Sequence, residues 1–160
     1  MALLRALTRA ARTIAVHVEP VLRTEGLTLD QWLVIDALAS ARGLAMTDLG
    51  AATLVTGPTL TRVVDRLILT AVAYREVDAT DRRRVRVYLG PRGHATHRRV
   101  GAKLAELEEA LLQQMETPDV LLAALDDLVE QAHASEPEPA AAMPPLVAAG
   151  RRGGAGAPGS

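Results

Sequence analysis

The chain contains no cysteine and no phenylalanine, and it has one tryptophan and two tyrosines in 160 residues. Without cysteine it can form no disulfide, thiolate nucleophile or cysteine-ligated zinc site. Hydrophobic residues still make up 49% of the chain. The core must therefore be aliphatic, built from Leu, Val, Ile and Ala, which favours helices.

Long apolar runs are missing as well. Three arginines interrupt the first twenty residues, and no run approaches the 18 apolar residues of a membrane span. We therefore expect a soluble, cytoplasmic protein that has no membrane partner. No glycine-rich phosphate loop or nucleophile elbow is present, so we predict neither an enzyme nor a cofactor.

Apolar residues at three- and four-residue steps predict helices over residues 2–24, 28–40, 48–54, 56–70, 91–114 and 117–134. Pro20 should kink or interrupt the first helix, and Thr28 and Thr56 should be N-caps. Alternating residues at 72–76 and 84–89 predict two strands of a hairpin with a charged tip. Residues 135–160, rich in Pro, Ala and Gly, predict a disordered tail.

The helix over residues 56–70 has two distinct faces. Leu60, Val63, Val64 and Leu67 should pack inward. The opposite side carries Pro58, Thr59, Arg62 and Arg66, flanked by Thr61 and Asp65. Threonine can bond phosphates and arginine can bond guanine in bidentate fashion, so this face suits a DNA groove. The alternative is an ordinary solvated helix face.

Positive charge is concentrated after this helix. Residues 75–99 contain eight arginines and three acidic residues, a net charge of +5 in a chain whose net charge is −1. Asp81, Arg82, Arg83 and Arg84 form the hairpin tip. Such a concentration is typical of phosphate contact, although an arginine-rich surface can also serve solubility alone.

Histidine offers an alternative chemistry. His94 and His97 are three residues apart and could share a helix face, but no carboxylate or cysteine lies near them in sequence. We predict no metal site, and we place both histidines beside the basic surface. Trp32 is predicted to be a core residue or the wall of a pocket.

Three segments carry a family resemblance: LTLDQWLVIDALA, MTDLGAATLVTGPTLTRVVDRL and AYREVDATDRRRVRVYLGPRGHA. Together they resemble the MarR family of bacterial transcriptional regulators over residues 27–96. The helix, the DATDRRR tip, the strand and the Pro-Arg-Gly that opens the next helix keep the family's spacing.

The resemblance implies a mainly α fold, a winged helix-turn-helix with a small β-hairpin wing and dimerisation helices at both ends. Residues 1–134 would form a single domain. Residues 1–26 and 91–134 would form its dimerisation region, and residues 27–90 its DNA-binding lobe. Residues 135–160 would remain the tail.

The implied function is a ligand-responsive repressor, a sequence-specific regulator that binds double-stranded DNA at a palindromic operator as a homodimer. The recognition helix would use Thr56, Pro58, Thr59, Thr61, Arg62 and Arg66. In the wing, Asp81 would orient Arg83 toward DNA, with Arg82 and Arg84 beside it. A small lipophilic or anionic effector would bind between the two regions, with Trp32 as its candidate contact.

The alternative function is a winged-helix module that binds a protein and has lost DNA affinity. The chain also departs from the family pattern at two positions. Ala71 stands where the family usually has glycine in a turn with positive φ. Gly90 stands where the family commonly has threonine, so we expect a weaker helix cap there.

Overall fold

The computed structural model describes residues 1–78, 81 and 84–134, with the side chain of His133 left out. The tail predicted for residues 135–160 lies outside this range. The elements are α1 (Ala2–Thr24), α2 (Leu29–Ala39), β1 (Leu44–Ala45), α3 (Met46–Thr53), α4 (Gly57–Leu69), β2 (Ala73–Val77), β3 (Val85–Leu89), α5 (Pro91–Leu112) and α6 (Pro118–Ala134). The expected mainly α fold with a small hairpin is thereby confirmed.

The chain divides into two compact units, Met1–Glu116 and Thr117–Ser160. The first unit contains α1 to α5 and all three strands, and α6 is the described part of the second. None of the described helices is long and apolar enough to cross a membrane.

The core of the first unit is aliphatic, as expected. Its largest fully buried side chains come from α1 to α5 and β3, and Trp32 joins them with 9% of its surface exposed. Those side chains are Leu22, Val34, Ile35, Leu38, Leu49, Val64, Leu67, Val87 and Val100. Burial of this aliphatic surface is the main force that packs α2, α4 and α5 around the sheet.

Thr28 is the predicted N-cap of α2, and the structure confirms it. Its hydroxyl accepts a hydrogen bond from the Gln31 amide at 3.3 Å, and the Gln31 side chain accepts one from the Thr28 amide at 2.9 Å. This reciprocal pair is a capping box, which satisfies two amides that the helix cannot bond itself.

Pro20 does not interrupt α1, which contradicts one of the two effects expected of it. The helix continues to Thr24, because Leu22 is fully buried and an ion pair from Arg23 to Glu19 at 2.8 Å spans the proline. After the end of α1 at Thr24 the chain changes direction at Gly26, which has a φ of +69°.

The sheet has one strand more than predicted. Its order is β1-β3-β2, all antiparallel, and Tyr74 lies opposite Tyr88 in the hairpin. The two tyrosine rings stack with centroids 5.4 Å apart. A side chain on Gly43, just before β1, would collide with the Tyr88 ring. A two-residue strand has no readable period, which is why the sequence did not predict β1.

Ala71 adopts the conformation that normally favours glycine. The Ala71 amide bonds to the Ile68 carbonyl and the Val72 amide bonds to the Leu67 carbonyl, both at 2.9 Å, which is a Schellman motif. The φ of Ala71 is +57°. Gly26 ends α1 with the same pair of bonds, from its own amide to Arg23 and from Leu27 to Leu22. The turn predicted after α4 is therefore kept, with alanine in the left-handed position.

The start of α5 depends on Gly90 and Gly93. Gly90 is the N-cap and supplies no side-chain hydrogen bond, as expected for a weaker cap. Gly93 lies so close to the Val72 carbonyl and the Leu89 side chain that any β-carbon would collide with them. The glycine of Pro91-Arg92-Gly93 thus allows α5 to pack directly against the hairpin.

An ion-pair cluster joins the loop after α1 to α5. Glu25 lies 2.8 Å from Arg99 and 3.1 Å from Lys103, and its side chain is 16% exposed. Hydrogen bonds from Arg99 and then from Lys103 lower the pKa of Glu25 from 4.5 to about 2. The cluster links residues more than seventy positions apart and fixes α5 against the α1–α2 loop.

The left-handed turn leads to a first prediction. Ala71→Gly should raise the free energy of unfolding by about 0.5–1 kcal/mol, because the β-carbon strain at positive φ disappears. The matched control is Gly26→Ala, which places a β-carbon at a φ of +69° with no atom within 4 Å. It should lower stability by a similar amount. Urea unfolding measures both, and a loss of stability in Ala71→Gly would contradict the argument.

The Glu25 cluster leads to a pH-dependent prediction. The folded-state pKa lies below the ordinary value, so the ionised carboxylate stabilises the fold above about pH 4.5 and loses this effect as the pH falls toward 2. Glu25→Gln should therefore be less stable than the parent at pH 7, and the difference should shrink through this range. Glu19→Gln, which removes an exposed pair, is the control. A difference that is constant from pH 7 to pH 2.5 would contradict the role of the charge.

Candidate nucleic-acid interface

The turn between α3 and α4 sets the angle between the two helices. α3 begins at Met46, two residues before the predicted start, and ends at Thr53. The Thr53 hydroxyl donates to the Leu49 carbonyl at 2.7 Å and accepts from the Val55 amide at 3.4 Å. Leu54 between them has a φ of +54°. The backbone thereby reverses within a few residues, as a helix-turn-helix requires.

The inward face of α4 is confirmed. Leu60, Val63, Val64 and Leu67 are all buried, with at most 8% of their surface exposed. The opposite face carries Pro58, Thr61, Arg62, Asp65 and Arg66, all exposed, and Thr59 is half-buried. Because the apolar stripe fixes the rotation of the helix, the polar residues face away from the core.

The hydroxyl groups at the start of α4 are already engaged. Thr56 is the predicted N-cap, but its hydroxyl bonds to the Thr59 hydroxyl at 3.2 Å and not to a helix amide. The Thr61 hydroxyl donates to the Gly57 carbonyl at 3.0 Å. A hydroxyl has one proton to donate, so in this rotamer Thr61 can only accept from a ligand. It would have to rotate to donate to a phosphate.

Asp65 is the acidic residue of this exposed face, and Arg75 of β2 neutralises it. The Arg75 guanidinium donates to the Asp65 carboxylate at 2.8 Å. Both side chains are 40–50% exposed, so the pair contributes little to stability. Its effect is local: it offsets a negative charge that would repel phosphates and links α4 to the first strand of the wing.

The acidic residues of the hairpin organise its base. Asp78, 11% exposed, accepts from Arg86 at 2.6 Å, and Arg86 also donates to the Gly43 carbonyl at 3.2 Å. The carboxylate raises the pKa of Arg86 above its ordinary value. Asp81 lies 3.4 Å from Arg84 and its amide bonds to Asp78. These contacts connect the wing to the loop before β1.

Two of the wing residues predicted to contact DNA, Arg82 and Arg83, lie outside the described residues. The orienting contact from Asp81 to Arg83 therefore stays a prediction. The structure places Asp81 and Arg84, the other two predicted wing residues, at the base of the tip.

The net charge of residues 75–99 overstates the positive charge available for a ligand. Arg75, Arg84, Arg86 and Arg99 form ion pairs, and two of their partners, Asp65 and Glu25, lie outside that segment. In the part of the chain that the structure describes, the arginines of α4 and α5 that make no ion pair are Arg62, Arg66, Arg92 and Arg98. The available charge of this lobe thus lies on α4 and the start of α5 as well as on the wing.

Trp32 and His97 pack against each other. Their rings are nearly parallel, with centroids 5.3 Å apart, and the His97 Nε2 atom lies 3.0 Å from the Asp36 carboxylate. His97 thus has a carboxylate neighbour that sequence spacing did not indicate. Among the described residues, no three His, Asp or Glu side chains form a group that could hold a metal ion.

Comparison with known proteins supports the resemblance. Residues 25–84 match the model of the MarR family. The regulator FarR of Neisseria gonorrhoeae, an HTH-type transcriptional regulator, is 26% identical over 125 residues, which cover 78% of this chain and 84% of FarR.

Solved structures support the same resemblance. NadR in complex with 4-hydroxyphenylacetate is 26% identical with a TM-score of 0.72, over 82% of this chain and 92% of NadR. The regulator BldR from Sulfolobus solfataricus is similar in fold, with a TM-score of 0.75 and 22% identity, over 81% of this chain and 94% of BldR. The MarR family model thus matches residues 25–84, and over about four fifths of its length the chain resembles transcriptional regulators in sequence and in fold.

Proposed function

We propose that the protein binds a palindromic double-stranded DNA operator as a homodimer and represses transcription there. Each protomer inserts α4 into a major groove and extends its wing along the neighbouring minor groove. Two-fold symmetry then requires half-sites about 10 base pairs apart, or a multiple of that distance. The groove contacts come from Thr56, Pro58, Thr59, Thr61, Arg62 and Arg66, and the wing contacts from Asp81, Arg82, Arg83 and Arg84.

One observation carries this proposal: Arg62 and Arg66 are exposed on the polar face of α4 and form no ion pair within the described residues. Carboxylates of the chain pair with Arg75, Arg84, Arg86 and Arg99, whereas none of the described carboxylates pairs with Arg62 or Arg66. An unpaired guanidinium is free to bond guanine O6 and N7 or a phosphate. The neighbouring Asp65 is neutralised by Arg75, so it does not oppose a polyanion.

Dimerisation is supported by apolar residues that each unit leaves exposed. On α1, Leu3, Leu4, Ile14 and Val16 are 49–68% exposed, and on α6 Val120, Leu121, Leu122 and Val129 are 39–66% exposed. Apolar side chains left exposed on these two helices are candidates for such an interface. A second copy of the chain is the partner that a two-fold operator requires.

Control by a small ligand is supported by NadR, whose structure contains 4-hydroxyphenylacetate. We propose that a lipophilic or anionic effector also binds this protein and weakens its binding to the operator. The effector acts by stabilising a conformation or a charge distribution of the protein that does not favour DNA binding.

A titration of DNA flanking the chain's own gene tests the proposed function, with binding measured by gel shift from 50 to 300 mM salt. Binding that weakens steeply with salt, together with a dimer in sedimentation velocity, supports it. A folded protein that binds no DNA at low salt would contradict it and favour a winged-helix module for protein binding.

Arg83 tests the wing. Arg83→Ala should weaken DNA binding and reduce the slope of log K against log salt by about one phosphate contact, while dimerisation stays intact. Arg83→Lys keeps the charge and should restore the slope. If Arg83→Ala binds as tightly as the parent with an unchanged slope, the wing assignment is wrong.

Arg62 tests the recognition helix. Arg62→Ala should lose roughly 1–3 kcal/mol of discrimination at one base position if the side chain makes a bidentate base contact. Arg62→Lys keeps the charge without the planar fork, so it should retain non-specific affinity and still lose discrimination. Competition binding with single-base operator variants measures this. Full discrimination in Arg62→Lys would argue for a phosphate contact instead.

A further inference from the structure

The rings of Trp32 and His97 join α2 to α5 over two turns of each helix. The ring planes are 8° from parallel with centroids 5.3 Å apart, and Trp32 is 9% exposed. The His97 Nε2 atom lies 3.0 Å from the carboxylate of Asp36, which is one turn along α2 from Trp32. A β-carbon on Gly101, one turn along α5 from His97, would lie 3.7 Å from the indole. Each ring thus meets two successive turns of the opposite helix.

The hydrogen bond to Asp36 gives the imidazole one orientation. An ionised carboxylate can only accept, so Nε2 of His97 carries a proton and donates it. The side chains of Asp36 and His97 are 55% and 30% exposed, so this bond adds little to stability. It does fix the plane of the imidazole, and the indole is stacked on that plane. The bond therefore acts on orientation more than on the free energy of unfolding.

The rest of the buried surface of α2 lacks such direction. Apart from Trp32, its buried side chains are Val34, Ile35 and Leu38. Burial of aliphatic surface is non-directional, so it holds two helices together without selecting one register between them. Stacked rings and hydrogen bonds have preferred distances and angles. The single tryptophan of the chain thus supplies direction where α2 crosses α5.

This contact joins two parts of the chain that have different proposed roles. α2 is the first helix of the proposed DNA-binding lobe, and α5 begins the proposed dimerisation region. If the indole moved to the next turn of α5, the lobe would shift by about 5.4 Å along that helix. One base pair of DNA corresponds to about 3.4 Å. A shift of one turn would therefore displace α4 by more than one base pair relative to the α4 of a second protomer.

We propose that Trp32, His97 and Asp36 are positioning residues, which fix the DNA-binding lobe on α5 and thereby set the half-site spacing that the dimer accepts. The step to half-site spacing rests on the proposed function. The fixed orientation of the lobe does not, because it concerns two helices of one chain. Two experiments test these two steps separately.

The first experiment measures the orientation of the lobe without DNA. The chain has no cysteine, so spin labels can be attached at two exposed alanines, Ala52 on α3 and Ala102 on α5, through Ala52→Cys and Ala102→Cys. An excess of unlabelled chain restricts the signal to pairs of labels within one chain. Double electron–electron resonance should then give one narrow distribution of distances in the labelled parent.

Four variants of this labelled chain test the contact. His97→Ala removes the imidazole and Asp36→Ala removes its acceptor, and each should broaden or shift the distribution by about 3.4 Å or more, the rise of one base pair. Asp36→Asn keeps an oxygen that accepts from Nε2, so the distribution should stay narrow. His94→Ala, which removes an exposed histidine three residues earlier on α5, is the matched control and should change nothing.

A distribution in His97→Ala as narrow as in the parent would overturn the proposal, and so would equal broadening in His94→Ala. No difference between Asp36→Asn and Asp36→Ala would do so too, since the hydrogen bond would then have no effect on orientation. Because Asp36 is exposed, these two variants decide the question even if His97→Ala fails to fold.

The second experiment concerns DNA and separates this inference from the proposed function. Competition gel shifts compare the selected operator with operators whose half-sites are one base pair closer or farther apart. The parent should prefer one spacing about 10-fold, the effect of one base contact, and His97→Ala should lose most of this preference. Its affinity for a single half-site should stay within about 2-fold of the parent, because α4 still reads its bases.

The outcomes distinguish the two claims. An unchanged spacing preference in His97→Ala would contradict the link to half-site spacing. If the parent binds DNA but the distance distributions do not respond to His97→Ala and Asp36→Ala, this inference fails alone. If the parent binds no DNA, the proposed function fails, and the spin-label distances decide the positioning role.

Discussion

The buried stripe of α4 is the constraint on which the rest of the structure depends. Leu60, Val63, Val64 and Leu67 fit into the aliphatic core, and this contact fixes how the helix is rotated. The polar residues on the other side are exposed because the apolar ones are buried. A change in the packing of the core would therefore rotate α4 and change the direction in which its arginines point. The proposed DNA-binding face would change with them.

Internal ion pairs decide which charges remain available. Asp65, Asp78 and Glu25 each engage an arginine, and these pairs connect α4 to β2, the hairpin to the loop before β1, and the α1–α2 loop to α5. The arginines left without a partner in the described part of the chain then lie where a ligand can reach them. A count of charges along the sequence cannot separate the two groups, because partners such as Asp65 and Arg75 meet only after folding.

The sequence predicted features that arise from local periodicity. The helices, the capping threonine at Thr28 and the inward face of α4 all follow from neighbours within a few residues. It did not predict β1, the close approach of Gly43 to Tyr88 or the Glu25–Arg99 contact, which join distant segments. The interruption expected at Pro20 is absent, and the last turn of α1 is anchored by the buried side chain of Leu22.

Selection of bound fragments from a random pool of double-stranded DNA tests the central claim most directly. If α4 and the wing of each protomer read one half-site of a symmetric operator, the selected fragments should share a two-fold symmetric motif with half-sites about 10 base pairs apart. A pool that remains unenriched for any sequence, or that yields a single asymmetric half-site, would contradict the account of a dimeric DNA-binding regulator.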